Sequence, residues 1–248
     1  MRTIKLVVEY DGSAYCGFQR QPRQPSIQET FEKALSQLLN APTKIQGASS
    51  RTDSGVHAAG QVISFKTGSA MPAPQMKRGL NALLPRDVAV VEAREAAADF
   101  HARYGAKWKV YEYCIWNSPV RSPLLAARTY HVPQALDLKK MRAAARLLKG
   151  RHDFRSFCAA DPAKKEKGST VRTLRRFDVT AEGPLVRVRV EGNGFLYKMV
   201  RNLVGTLVDA GAGRMEVREI SEILAAKDRK KAGKTVPPQG LTLLKVSY

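Results

Sequence analysis

Cysteine and histidine are both scarce in this chain. The three cysteines, Cys16, Cys114 and Cys158, lie far apart and form no Cys-x-x-Cys pair, which argues against a disulfide framework and a thiolate metal site. The four histidines, His57, His101, His131 and His152, fall at no metal-ligand spacing and are expected to be structural or to face a ligand. No metal and no cofactor is therefore expected. Long apolar runs are missing as well. Asp11 interrupts the N-terminal segment before the apolar region of a signal peptide can develop, and no later run approaches membrane length. The chain reads as cytoplasmic, neither exported nor inserted.

Acidic residues are the other shortage. Against 42 Lys and Arg stand 22 Asp and Glu, a formal charge of +20, and the isoelectric point is near 10.2. The excess is lopsided: residues 1–100 hold 12 basic and 9 acidic residues, so most of it lies beyond them. A field of that size argues for a polyanionic partner, either nucleic acid or an anionic membrane, because it steers association and offsets phosphate charge. Surface solubility is the plainer explanation. At 248 residues with 44% hydrophobic content, the chain can build one large domain or two ordinary ones.

Hydrophobic periodicity supplies the elements. Residues 3–10 alternate as a strand with Ile4, Leu6, Val8 and Tyr10 on one face, closed by an Asp11-Gly12 turn. Ser26-Ile27-Gln28-Glu29 is a capping box that opens a helix running to about Asn40. Strands are predicted at 43–48 and 61–66, a helix after Pro72 and Pro74, and a strand at 88–93. The second half repeats the pattern. It has a strand at 106–116, a helix capped by Asp137 and stopped by Gly150, strands at 171–181 and 185–192, helices from about Tyr197 and Arg218, and a last strand at 241–247. Each half spells strand, helix, strand, strand, helix, strand, the split β-α-β order of an α+β ferredoxin-like unit. The expected domains are residues 1–104 and the strongly basic 105–248, with sheets meeting edge to edge around a central cleft. Two charged stretches without periodicity, 161–169 and 227–234, read as mobile loops that are either simply solvated or in contact with phosphate. On the predicted strand at 185–192, Arg187 and Arg189 alternate with valines, giving either a basic groove floor or an ordinary wet face.

Between the predicted strands at 43–48 and 61–66 lies Ser49-Ser50-Arg51-Thr52-Asp53-Ser54-Gly55-Val56-His57-Ala58. An Asp followed by Ser-Gly is turn chemistry, so Asp53 belongs at a loop tip where its carboxylate can face a ligand. The plain alternative is a turn former that caps its own backbone.

Arg51-Thr52-Asp53-Ser54-Gly55-Val56-His57 resembles the signature loop of the tRNA pseudouridine synthase A family. Further matches follow in the family's order: Glu9-Tyr10-Asp11-Gly12, Gly17-Phe18-Gln19-Arg20-Gln21, Phe100-His101-Ala102-Arg103, Tyr111-Glu112-Tyr113, His152-Asp153-Phe154 and Met199-Val200-Arg201-Asn202. The likeness covers almost the whole chain. Ser50 stands where the family usually has Gly, Ser54 where it has Ala, and Phe18 where it has Trp.

The resemblance implies a pseudouridine synthase fold and isomerisation of uridine in the anticodon stem-loop of tRNA, at positions 38 to 40, by a homodimer. It implies Asp53 as catalytic nucleophile, attacking ribose C1′ or uracil C6 or relieving charge at C1′. Tyr111, Arg51 and Arg201 follow as substrate-binding residues, and Arg20 as an RNA-backbone contact. Each has an ordinary alternative: a core aromatic for Tyr111, a solvated helix arginine for Arg201. At the level of the whole chain, a non-catalytic RNA-binding protein on the same fold, or a synthase paralogue with a different RNA target, is the alternative. A zinc deaminase is disfavoured, because His-x-Glu and Pro-Cys-x-x-Cys are absent.

Overall fold

A computed structural model of the chain describes residues 1–160 and 168–248. It divides into two compact units, Met1–Lys107 with Thr242–Tyr248, and Trp108–Leu241.

The first unit runs β1 (Arg2–Tyr10), α1 (Ile27–Leu39), β2 (Gly47–Ala48), β3 (His57–Thr67), α2 (Ala73–Leu83) and β4 (Val88–Ala96), the order predicted. Half of the expected capping box sets the start of α1: the Ser26 side chain accepts the Glu29 N–H, while the Glu29 carboxylate lies 3.1 Å from Lys33 Nζ, and Asn40 ends the helix in the left-handed region at φ 48°. β1 is the middle strand, antiparallel to both β3 and β4, with Ile4 opposite Phe65 and Leu6 opposite Ile63. Its alternation sends Ile4, Leu6 and Val8 into a core with Phe31 and Leu35 of α1 and Met76 and Leu80 of α2, all fully buried. Each such side chain contributes roughly 1.5–3 kcal/mol. The other face of β1 is covered too. Lys5 Nζ sits 4.4 Å from the centre of the Tyr248 ring and 5.4 Å from that of Phe100, and burial followed by the nearby Arg94 charge holds its pKa below the usual lysine value.

The C-terminal strand, Leu241–Ser247, runs parallel to β3, with Thr242 opposite His57 and Leu243 opposite Ala58. The Tyr248 hydroxyl then donates to the Ala102 carbonyl at 2.7 Å. Periodicity places a strand here but does not say which strand it joins, so the sequence reading left it with the second repeat.

The second unit contains β5 (Trp108–Asn117), β6 (Tyr130–Val132), α3 (Leu138–Leu147), β7 (Gly150–Asp153), β8 (Val171–Glu182), β9 (Leu185–Gly192), α4 (Met199–Gly211) and α5 (Glu219–Ala226). The strands lie in the order β5-β9-β8-β7, antiparallel throughout, and β6 adds in parallel to β5. Both β6 and β7 escape a sequence reading because three or four residues are too few to show alternation. Gly150, expected only to stop α3, also opens β7. The cap of α3 is as expected: the Asp137 carboxylate accepts from Lys139 N–H at 2.8 Å and Lys140 N–H at 3.1 Å. α4 is buried on nearly every side, with Leu203, Val204 and Leu207 fully enclosed and the polar Asn202 and Thr206 buried among them.

Of the two stretches read as mobile loops, residues 161–167 of the first lie outside the described residues. The second is built in rather than loose. Asp228 caps a 3₁₀ turn at Arg229–Lys231, and Arg229 donates to Asn202 Oδ1 at 2.9 Å, Thr235 Oγ1 at 3.0 Å and the Ala232 carbonyl at 3.1 Å. Fully buried Asn202 also accepts from Thr235 Oγ1 at 2.6 Å and donates to the Phe157 carbonyl at 2.8 Å. A run of charges in a sequence does not disclose that one member has a buried partner. No helix among the described residues is long and apolar enough to cross a membrane.

Asn202→Ala removes the acceptor shared by Arg229 and Thr235 and the donor to the Phe157 carbonyl, and unmet buried polar groups cost about 1–3 kcal/mol, more when charged. The expected loss is about 2–4 kcal/mol, read as a lower urea midpoint with an unchanged slope.

Candidate active site on the Asp53 loop

The loop between β2 and β3 has little regular structure, so its shape comes from side chains around it. Gln61 of β3 clamps its start. Its Oε1 accepts from Ser49 Oγ at 2.6 Å and Ser50 N–H at 3.1 Å, while its Nε2 donates to the Ser50 carbonyl at 2.7 Å. Thr52 is buried and held at both oxygens: the hydroxyl pairs with Tyr10 OH at 2.7 Å and the carbonyl accepts Phe18 N–H at 3.0 Å. Val56 N–H returns to the Asp53 carbonyl at 3.1 Å, closing a turn at Ser54 and Gly55, and Gly55 N–H and Ser54 Oγ both donate to the Tyr15 carbonyl at 3.3 Å. His57 is fully buried, its Nδ1 accepting Gly12 N–H at 3.1 Å and lying 3.1 Å from Asp11 Oδ1. It is a structural residue. Asp53 is half-buried, on a backbone held by hydrogen bonds at Thr52 before it and at its own carbonyl.

The remaining predicted residues fall in two places. Arg51, exposed, and Arg20 share the first unit with Asp53. Arg20 is drawn to Glu29 at 3.6 Å and Glu32 at 3.8 Å, so part of its charge is already answered. Tyr111 and Arg201 stand in the second unit. Tyr111 is nearly buried on β5, edge-on to Phe195 at 5.2 Å. Arg201 lies half-buried in the first turn of α4, with its Nε donating to the Val236 carbonyl at 2.8 Å, and is not the solvated helix arginine that was its plain alternative. Its charge partly offsets the effect of burial, which raises the pKa of neighbouring Tyr113.

Sequence reasoning missed the clamp of Tyr10, Thr52 and Gln61; the available signal was a glutamine set between Gly60 and the apolar pair Val62-Ile63. It also missed Glu112. That carboxylate takes Arg189 Nε at 2.6 Å and Arg187 Nη1 at 3.3 Å, so these strand arginines are paired rather than forming an open basic floor.

Gly17 packs closely against the loop: at φ 96° a Cβ would sit 2.8 Å from the Thr52 carbonyl oxygen. Gly17→Ala should cost about 1–2 kcal/mol in backbone strain alone. Native-state hydrogen exchange should show the Phe18 and Gly55 amides losing protection while the ladder between β1 and β3 keeps it.

The chain matches the tRNA pseudouridine synthase family over residues 6–105 and 144–248. A tRNA pseudouridine synthase A from Acetivibrio thermocellus is 43% identical over 248 residues, covering 100% of both chains. One from Citrifermentans bemidjiense is 45% identical over 249 residues, covering 100% of this chain and 98% of its own. Among solved structures, a chain in the crystal structure of a Cbf5-Nop10-Gar1 complex overlaps 97% of this chain and 49% of its own at a TM-score of 0.41 and 14% identity, a likeness too loose to bear on the fold. Matched in both halves, and this similar to curated relatives from end to end, the chain belongs to the tRNA pseudouridine synthase family.

Proposed function

We propose that the protein isomerises uridine to pseudouridine in tRNA, at positions 38 to 40 of the anticodon stem-loop, as a cytoplasmic homodimer. The observation that carries the reading is Asp53, a half-buried carboxylate on a loop fixed at Thr52 by two hydrogen bonds, in a chain of this family. The reaction breaks the N1–C1′ bond and makes a C5–C1′ bond; the C5 proton is lost and N1 gains one, so nothing is added overall. A carboxylate serves such a step as a nucleophile at C1′ or C6, which divides one high barrier into two lower ones. A uracil within a paired stem must first be extruded, at a cost of a few kcal/mol.

Tyr111 is assigned to stack on the uracil and to assist proton transfer, and Arg201 to offset negative charge around the substrate. Arg51 is assigned to the RNA beside the target uridine, its planar guanidinium suited to phosphate or to a vacated stack. Arg20 makes a lesser backbone contact. Retention of tRNA binding with no isomerisation by the wild type would favour the non-catalytic alternative.

Wild type and Asp53→Asn incubated with unmodified tRNA, then digested to nucleosides, should differ in pseudouridine yield by about 10³-fold or more, with tRNA affinity within a few-fold. Comparable yields would remove Asp53 from the chemistry. Tyr111→Phe keeps the ring and deletes the hydroxyl. Single-turnover rates on a saturating stem-loop should fall by about 10²-fold, the scale of a lost acid-base group. A wild-type rate would reduce the residue to a platform. Light scattering should give the mass of a dimer.

A further inference from the structure

On the first unit, lined by Arg51 of the loop that carries Asp53 but not by Asp53 itself, is a recess of about 240 Å³. That is smaller than the ~300–1,000 Å³ of drug-sized ligand sites, a size suited to a single base rather than a base pair. Its lining includes Arg51, His101, Arg103 and Tyr104, and no carboxylate. No ion pair is found for Arg51 or Arg103 among the described residues, whereas Arg20 close by already faces Glu29 and Glu32.

The aromatic wall is unusual. Tyr104 is 78% exposed, yet its ring is not free to wander. It lies on the His101 imidazole with ring centres 4.4 Å apart and planes tilted by 32°, and the Arg103 guanidinium is 5.6 Å from its centre. His101 is itself fixed. Its Nδ1 accepts the N–H groups of Arg103 at 3.1 Å and Tyr104 at 3.3 Å, and its edge abuts Gly47 so closely that a Cβ there would fall 2.6 Å from the ring. With Nδ1 occupied as an acceptor, the neutral ring carries its proton on Nε2. A large ring held in place while exposed does not stabilise the core. It has the properties of a stacking platform, where a base can lie on a π-face at little entropic cost.

We propose that this recess is a second nucleotide site, taking an unpaired nucleotide of the RNA near the uridine that is isomerised. The base stacks on Tyr104, and Arg51 and Arg103 hold the flanking phosphates. Gln19 and Gln46, exposed amides at the rim, can each donate to and accept from the base edge. Arg51 ties the two sites together, being two residues from Asp53 on the same fixed loop. The inference rests on the proposed reaction for its substrate, since a stem-loop offers unpaired nucleotides next to a paired target.

The test is binding of the full-length protein to a fluorescent anticodon hairpin and to a fully paired duplex of equal length. Tyr104→Ala should weaken hairpin binding by about 10-fold, the scale of one lost base stack, and leave duplex binding within two-fold; Tyr104→Phe should match wild type. Arg103→Ala should lower affinity for both RNAs and reduce the slope of log affinity against log salt by about one. Replacing loop nucleotides one at a time by abasic residues should find one position at which Tyr104→Ala no longer matters. Hairpin binding by Tyr104→Ala within two-fold of wild type, or equal loss on hairpin and duplex, would overturn the proposal. Because this readout is binding, it stands apart from the parent reading, which fails if wild type forms no pseudouridine in tRNA.

Discussion

Thr52 is fixed through two different oxygens, its hydroxyl by Tyr10 at the end of β1 and its carbonyl by the Phe18 amide. Since a buried polar group left unmet is costly, neither bond is easily given up. The residues on either side inherit that constraint. On one side of Thr52, Arg51 lines the recess; on the other, the Asp53 carbonyl closes the turn with the Val56 N–H. The core of the first unit thus reaches the loop through one side chain, because Tyr10 is the last member of the apolar series Ile4, Leu6, Val8 and Tyr10, buried along β1.

Charge is distributed less simply than its total suggests. In the second unit several arginines answer carboxylates: Arg187 and Arg189 at Glu112 and Arg175 at Glu191 on neighbouring strands, and Arg176 at Asp178 along β8 itself. The Glu112 carboxylate, together with burial as the larger cause, pushes the Cys114 thiol up to about 11, so this cysteine stays protonated and unreactive at neutral pH. A net charge of +20 still attracts RNA over a Debye length. The arginines able to meet individual phosphates are those without a carboxylate beside them, and Arg51 and Arg103 are of that kind.

What was legible in the sequence was whatever depends on near neighbours in the chain. The α1 cap needs only Ser26 and Glu29, and the burial of Tyr111, Tyr113 and Ile115 follows from alternation along β5. The Asp53 turn was legible for the same reason, since Asp-Ser-Gly carries its own geometry. What was not legible depends on partners far apart in sequence. Gln61 with Ser50, Asn202 with Arg229, and Tyr104 with the groove beside Arg51 are pairings that no local period encodes. The short strands β6 and β7 fall below the length at which a period can be read.

The return of the C-terminal strand to β3 has a consequence in the order of synthesis. The sheet beneath the Asp53 loop acquires its parallel neighbour, and Tyr248 its place against Lys5 and Ala102, only after the whole of the second unit has been made. At about 5–20 residues per second that is a wait on the order of ten seconds. During it, the edge of β3 at His57 and Ala58 is open to stray pairing. The unit that carries Asp53, though first to emerge, is the last to be finished.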